Sequence, residues 1–373
     1  MTQNSDASGL AMTTGGDYSL STRGAKDVID RATPRFRAAL AAAAGQATGD
    51  HLVIADFGCA DGGTGLEAMR QLASHAKTLR PNGSVTIVYE DQPLNDFNTL
   101  TRMVQGQAGP PPLHDPARGI YVLASGTSFY QPVLPPGSLH LGISATAMHW
   151  LSAKPTDIAD HIHAVGAEGA ALAAFSAQAA RDWETILLAR AAELAPGGRL
   201  VFCNFCRDED GRYLGHTGGV SMFATFREIW RQFQDQGRIS AAEFSAMTFP
   251  QYYRTVEEFA APLRDATGPI TAAGLCLETI ETGITPCPYA AAFDQVGGAD
   301  GGDSASFARA YVPTLRSWSE STFFNGLSTD RPVAERRQVI EDFYQAYVDR
   351  VTTDPRGHAM DYVHAYMTIA KAA

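Results

Sequence analysis

The sequence predicts a mixed α/β protein: a doubly wound, mostly parallel sheet with an α-helical cap over the C-terminal edge of its strands. Three observations carry that prediction. Apolar, strand-like runs alternate with helix-period segments from residue 26 to about residue 205, as in a parallel sheet with helices on its faces. The first run leads into a glycine-rich turn, "LVIADFGCADGGTGLEAM" (residues 52–69), the strand–turn–helix form that cradles nucleotide-like ligands. Residues 150–175 and 210–350 hold more helical sequence than a minimal sheet needs, and that material belongs over the sheet edge where ligands bind.

The elements follow in order. Residues 1–17 read as a flexible segment. A helix is expected over Lys26–Ala44, a strand over Leu52–Phe57, a helix over Leu66–Thr78 and a strand at "SVTIVY", Ser84–Tyr89. Short apolar strands follow at Gly119–Ala124 and Leu139–Ser144. Ala177–Leu194 has helical periodicity and stops at "APGGR", a glycine C-cap signal, before the strand Arg199–Phe205. In "VSMFATFREIWRQF" the apolar residues recur every three or four positions, which predicts a helix with one buried stripe. Cys276–Gly283 reads as a strand, Ser304–Phe324 and Val333–Val351 as long helices, and His364–Lys371 as a final strand. The expected organisation is a ligand-covering segment at residues 1–25, a ligand-binding sheet domain at 26–210 and a largely helical cap at 211–355. Strands near 274–283 and 359–371 return to the sheet.

Composition bounds the function. The 373 residues are 45% hydrophobic, ample for the core of one large domain or two packed subdomains. Only 18% are charged, unlike a disordered or coiled-coil chain. A net charge of -11 with no long Lys/Arg run argues against a nucleic-acid surface. No apolar run is long enough to span a membrane, and residues 1–15 lack the basic and apolar regions of a signal peptide, so the expected location is cytoplasmic. Five cysteines make no disulfide framework. Cys203 and Cys206 in "LVFCNFC" read as buried reduced thiols, and His161 and His163 in "DIADHIHAV" as exposed polar residues of an insertion.

The turn at Asp56–Gly65 narrows the ligand. A dinucleotide fingerprint needs a glycine two residues after the first so that the backbone can approach a pyrophosphate, and Ala60 stands there. Asp56 and Asp61 would repel a pyrophosphate, whereas S-adenosylmethionine carries a sulfonium and an amino group that carboxylates attract. Glu90 and Asp91 end the second strand, where one carboxylate can accept from both ribose hydroxyls.

Four segments in order resemble the SABATH family of S-adenosylmethionine-dependent carboxyl methyltransferases. They are "IADFGCADGGTG" (54–65), "DQPLNDFNTL" (91–100), "SFYQPVLPPGSLHLGISATAMHWLS" (128–152) and "PGGRLVF" (196–202), and "MTTGGDYSLST" near the N-terminus is similar to the family's opening motif. The resemblance implies a microbial member with a Rossmann-like sheet, a helical cap over the active site, S-adenosyl-L-methionine as cofactor and a homodimer as working species. By position, it implies that Tyr18, Thr22, Asp56, Gly58, Cys59, Asp91, Gln92, Ser128 and Phe129 bind the cofactor. Asp91 would take the ribose, and Ser128 and Phe129 the adenine.

The reaction implied is transfer of the methyl group to the carboxylate of a small hydrophobic or aromatic acid. Such a carboxylate is ionised at neutral pH and needs no general base. In the family a Gln on the N-terminal segment and the Trp of "HWLS" hold it. Here the Trp is Trp150, with His149 beside it as a second donor, and the two are the expected catalytic and acceptor-binding pair. The Gln position is Ala25, followed by Lys26; either Lys26 or His149 supplies the donor, or the acceptor is a nitrogen or carbon atom rather than a carboxylate. Met222, Phe223, Phe226 and late helical residues such as Phe323 and Phe324 are expected to wall the acceptor pocket. Some family members bind Mg²⁺ near a segment matching "SAMTFPQYY" (245–253). Ser245 and Thr248 stand at those positions and are poor ligands for a hard cation, so no metal is expected. The rival classes are an NAD(P) oxidoreductase and a catalytically silent binding module.

Overall fold

A computed structural model describes residues 22–107 and 110–373. Helix α1 (Arg23–Gln46) leads into strand β1 (His51–Phe57), helix α2 (Leu66–Leu79), strand β2 (Ser84–Glu90) and helix α3 (Phe97–Val104). Strands β3 (Ile120–Ser125) and β4 (Leu139–Ala145) follow, then helix α4 (Gly169–Glu193) and strand β5 (Leu194–Arg207). Beyond these come α5 (Met222–Asp235), α6 (Ala241–Ala246), the two-residue β6 (Arg254–Thr255), α7 (Val256–Arg264) and β7 (Leu275–Thr285). Short helices at Pro269–Ala272, Pro288–Gln295 and Gly298–Gly301 punctuate the chain before α8 (Ser304–Gly326), α9 (Val333–Thr353) and β8 (Tyr362–Lys371).

The sheet order is β3-β2-β1-β4-β5-β8-β7, with β6 paired to β5. Strands β1 to β5 are parallel, and β8 inserts antiparallel between β5 and β7. Alternation builds two cores. Leu52 and Ile54 of β1 face one side with Ala25, Val28, Phe36 and Met69, while Val53, Ala55 and Phe57 face the other with Trp183, Ile186 and Leu187 of α4. In α1 the buried residues Ala25, Val28, Ile29, Ala32, Phe36, Ala39 and Leu40 recur at helical spacing, which lays the whole helix along the sheet.

The strand order reverses between β1 and β4. In such sheets the crevice beyond the C-terminal ends of those two strands is the habitual ligand site. The turn after β1 and the segment after β4 therefore meet at the position that matters. Past β5, α5, α8 and α9 share an aromatic cluster in which Phe226 and Trp230 pack edge to face on Phe323, Trp230 edge to face on Phe343, and Phe323 tilted against Phe343 at 4.2 Å. No helix among the described residues is long and apolar enough to cross a membrane.

Three sequence expectations are corrected here. Helix α4 starts at Gly169, earlier than Ala177, because "GAALAAFSA" is rich in alanine and forms helix without showing an amphipathic stripe. Strand β5 starts at Leu194 and carries "APGGR" inside it. His163 is not an exposed insertion residue: it is fully buried, stacked on Phe223 at 4.1 Å between ring centroids, and accepts a hydrogen bond from the Val165 N–H. His161 is half-buried behind it. Cys203 and Cys206 are buried in opposite cores, and burial pushes the Cys203 thiol up to about 12.

Candidate active site

The turn after β1 is pinned from below by β2. The Gly58 and Cys59 N–H groups both donate to the Glu90 carbonyl, at 2.9 and 3.0 Å. The Gly58 N–H also reaches the Glu90 carboxylate at 3.2 Å. Asp91 holds the next residue: its Oδ2 accepts from Ala60 N–H and its Oδ1 from Gln92 N–H, each at 2.7 Å. Gly58 has φ +78°, and a Cβ there would lie 2.3 Å from the Cβ of Ala147, so only glycine lets this turn touch the segment after β4. Ala60 (φ 50°) and Thr146 (φ 57°) adopt the left-handed region without being glycine. Such strain costs about 1–3 kcal/mol and clusters at functional sites.

Acid crowding sets the electrostatics of the turn. Burial, then the neighbouring Asp91, pushes the Asp56 carboxyl up to about 7. Burial first and Asp91 second also raise Glu90 well above the usual carboxylate range. Asp91 is raised by burial against the pull of its two backbone donors. The Oε1 atoms of Glu90 and Gln92 are buried with no hydrogen-bond partner among the described residues. Unpartnered acceptors and crowded carboxyls suit a cationic ligand and repel a phosphate. The chemistry of the residues present at this turn therefore fits S-adenosylmethionine.

Two buried arginines fix the neighbouring segments. Arg190 of α4 pairs with Glu193 at 2.6 Å and donates to the carbonyls of Phe129 and Gln131 at 2.8 and 2.9 Å. It thereby holds the loop that carries half-buried Ser128 and buried Phe129, the latter packed near Gly58. Arg254 donates to the carbonyls of Met148 and Ala179. Asp182 accepts from the Ser152 N–H at 2.8 Å, and the Tyr130 hydroxyl donates to the Trp150 carbonyl at 2.5 Å. The "MHWLS" segment is thus clamped on both sides.

Beside that segment lies a cavity with about 390 Å³ of empty space, part of it open to solvent. Thr22 and Ala25 line it from the start of α1, and Thr146, His149 and Trp150 from the segment after β4. Phe205 of β5, Gln251, Tyr253 and Trp318 of α8 complete the walls together with Leu214, Met360 and Tyr362. No Lys, Arg, Asp or Glu is among these residues. Burial, then His364 and Arg254, lowers the His149 imidazole well below its ordinary range, so it is neutral at pH 7. What the cavity offers a polar ligand is a set of neutral N–H and O–H groups inside an aromatic wall.

Several residues named from the sequence lie elsewhere. Tyr18 falls outside the described residues. Lys26 follows Ala25 by one helical step and points to the exposed side of α1, where it pairs with Asp30. It lines a surface groove, not the cavity. Met222, Phe223 and Phe226 are fully buried behind the cavity wall, Phe223 and Phe226 packing on the far side of Trp318 at 6.1 Å. Phe323 sits deeper in that cluster, and Phe324 lies under the Arg336 guanidinium. Thr248 donates to the Ser245 carbonyl and accepts from the Ile158 N–H, both at 3.1 Å. Among the described residues no group of three or more His, Cys, Asp or Glu side chains is placed to hold a metal ion. The sequence reading missed Gln251, Tyr253 and Trp318. The signal for Gln251 and Tyr253 was the position of "FPQYY" after a helix, and Trp318 lies inside the helical run Ser304–Phe324, where nothing marked it.

Comparison with known proteins places this geometry. A family model described as SAM dependent carboxyl methyltransferase matches residues 9–268. Loganic acid O-methyltransferase of Catharanthus roseus is 28% identical over 218 residues, which are 55% of this chain and 56% of that protein. The methyltransferase FUS9 of Gibberella fujikuroi is 28% identical over 258 residues, 69% of this chain and 68% of its own. The match thus spans little more than half of the first relative's length. Among solved structures, a loganic acid methyltransferase with SAH superposes with a TM-score of 0.76 at 21% identity, covering 97% of this chain and 99% of that one, a likeness of fold.

Proposed function

The chain belongs to the SAM dependent carboxyl methyltransferase family, whose model matches well over half of it, and from that premise we propose that it esterifies the carboxylate of a small hydrophobic or aromatic acid. The observation that carries this reading is the position of the uncharged cavity: Ala147, which touches Gly58 of the acid-lined turn, lies in the short segment between the cavity residues Thr146 and His149. Tyr18, Thr22, Asp56, Gly58, Cys59, Asp91, Gln92, Ser128 and Phe129 are the proposed cofactor residues. Trp150 and His149 are the proposed acceptor residues. Bound S-adenosylmethionine supplies a methyl group already activated by its sulfonium.

The chain's own task is to hold an acceptor oxygen in line and keep water away. Thr146, His149 and Trp150 fix the floor of the acceptor site on the sheet, and Trp318 brings α8 over it as part of a helical cap. Positioning and desolvation of this kind can lower a barrier by roughly 7–11 kcal/mol. An ionised carboxylate gives up no proton on methylation and asks for no base; among the described residues the cavity wall holds no carboxylate, and burial makes the neutral His149 imidazole a weak proton acceptor. An ammonium or N–H acceptor has a proton to lose, which this wall serves poorly, and that favours the carboxyl reading. On the family resemblance, the reading extends to a cytoplasmic homodimer, a state that sedimentation of the purified chain tests. The central experiment incubates the chain with labelled S-adenosylmethionine and a panel of apolar carboxylic acids. Methyl esters are the expected products. Label in an amine or in carbon, or none in any acid, overturns the reading.

A further inference from the structure

We propose that Gln251 holds the acceptor carboxylate, its side-chain amide and the Trp150 indole N–H forming one two-donor clamp. This rests on the carboxyl reading above and adds the residue that selects for it. Gln251 is fully buried and lines the cavity, yet its Nε2 has no hydrogen-bond partner among the described residues. A buried amide nitrogen left open is uncommon, because its desolvation is then uncompensated. Its oxygen is occupied: the Tyr253 hydroxyl donates to Oε1 at 3.3 Å, which fixes that edge of the amide and leaves the NH₂ edge open. The amide also lies near the buried His163 ring, whose charged form it favours, without completing a hydrogen bond to Nε2 of that ring.

Backbone pairing puts this amide beside Trp150. The two residues form an antiparallel bridge. The Leu151 N–H donates to the Pro250 carbonyl at 2.8 Å and the Tyr252 N–H to the His149 carbonyl at 3.0 Å. Those bonds flank the pair instead of joining it. Trp150 and Gln251 are thus a narrow, non-hydrogen-bonded pair, whose Cα atoms stand about 4.5 Å apart and whose side chains share one face. Among the described residues the cavity wall offers an anion no cation, so the protein's hold on it falls to neutral donors.

The other candidates fit less well. Lys26 is outside the cavity, engaged with Asp30. Ala25 lines the cavity without a polar side-chain atom. The Trp318 indole N–H also lacks a partner among the described residues, but it comes from α8 and has no backbone tie to Trp150 there. Two adjacent donors favour a carboxylate over an alcohol or an amide, since hydrogen bonds to a charged acceptor are about twice as strong as neutral ones.

The test measures methyl transfer to the best acid of the panel, with adenosylhomocysteine affinity followed by calorimetry. Gln251→Leu should lower kcat/KM by about ten- to hundredfold, mainly through KM, with cofactor affinity unchanged. Gln251→Glu, which sets a like charge against the acceptor, should lose more. Ala25→Gln placed in the Gln251→Leu chain should restore part of the loss, because both positions face the same cavity. Lys26→Met is the control and should match the wild type. A Gln251→Leu chain with wild-type KM overturns the assignment while leaving carboxyl methylation standing. If Gln251→Leu instead melts early or loses cofactor affinity, the double variant decides: rescue supports the clamp and its absence overturns it. A wild type that methylates no acid overturns the carboxyl reading, and the clamp with it.

Discussion

Replacing Asp56 by Asn isolates the acid cluster under the glycine turn. The two side chains have nearly the same volume, so the change removes a titrating carboxyl and little else. Asp56 binds its proton far more tightly in the folded chain than in an unfolded one, about 7 against 3.8. A carboxyl shifted upward favours folding at low pH, and that advantage fades as pH rises from the unfolded value through the folded one. Between pH 5 and pH 8 the wild type should lose about 2–3 kcal/mol of stability through this group alone. For a chain of this length that is about 3 °C of melting temperature. The Asn variant lacks this contribution, so the gap between the two chains should open in its favour as pH rises. The assay is thermal melting of both chains, without cofactor, at closely spaced pH values. A gap that stays flat from pH 5 to pH 8 would show that Asp56 is already ionised at pH 5, and the argument that this turn awaits a cation would fail. Adding S-adenosylmethionine at pH 8 should stabilise the wild type more than the variant.

Asp91→Asn removes the negative charge that holds Ala60 and Gln92, and adenosylhomocysteine affinity measured by calorimetry should fall by about ten- to hundredfold, or 1.5–3 kcal/mol. Trp150→Phe keeps the ring and deletes the indole N–H; kcat/KM for the acid should fall about ten- to hundredfold with cofactor affinity preserved, and an unchanged kcat/KM would move the acceptor elsewhere. Arg190→Met strips a fully buried carboxylate of its partner and should cost about 3–5 kcal/mol in denaturant unfolding, with the Phe129 loop loosened at the same time.

Most of the sheet was legible because its signals are local. Leu52–Phe57, Ser84–Tyr89 and Leu139–Ser144 are short apolar runs between turn residues, and each became a strand within a residue or two of its expected ends. The glycine turn announced itself by composition, and "HWLS" placed Trp150 through resemblance. What escaped depends on facts that do not repeat along the chain. Lys26 and Ala25 are neighbours in sequence but a helical step apart, and the phase of α1 turns the alanine inward and the lysine out. Gln251 sits in irregular backbone, where no period marks it; only its bridge to Trp150 brings it to the cavity. His163 looked polar and exposed because its burial comes from Phe223, Phe249 and Tyr253, all distant in sequence.

A cavity with no cation among the described residues of its wall also governs how the reaction ends. Under the proposed function, the acid enters as an anion and leaves as an ester, so the ligand's charge vanishes while the wall stays the same. A lysine or arginine there would bind the acid more tightly, and once the ester formed it would itself be stranded as a buried, unpaired charge. Neutral N–H donors carry no such penalty. Their grip weakens by about half when the acceptor loses its charge, so the wall discriminates against its own product and turnover needs no separate device to eject it.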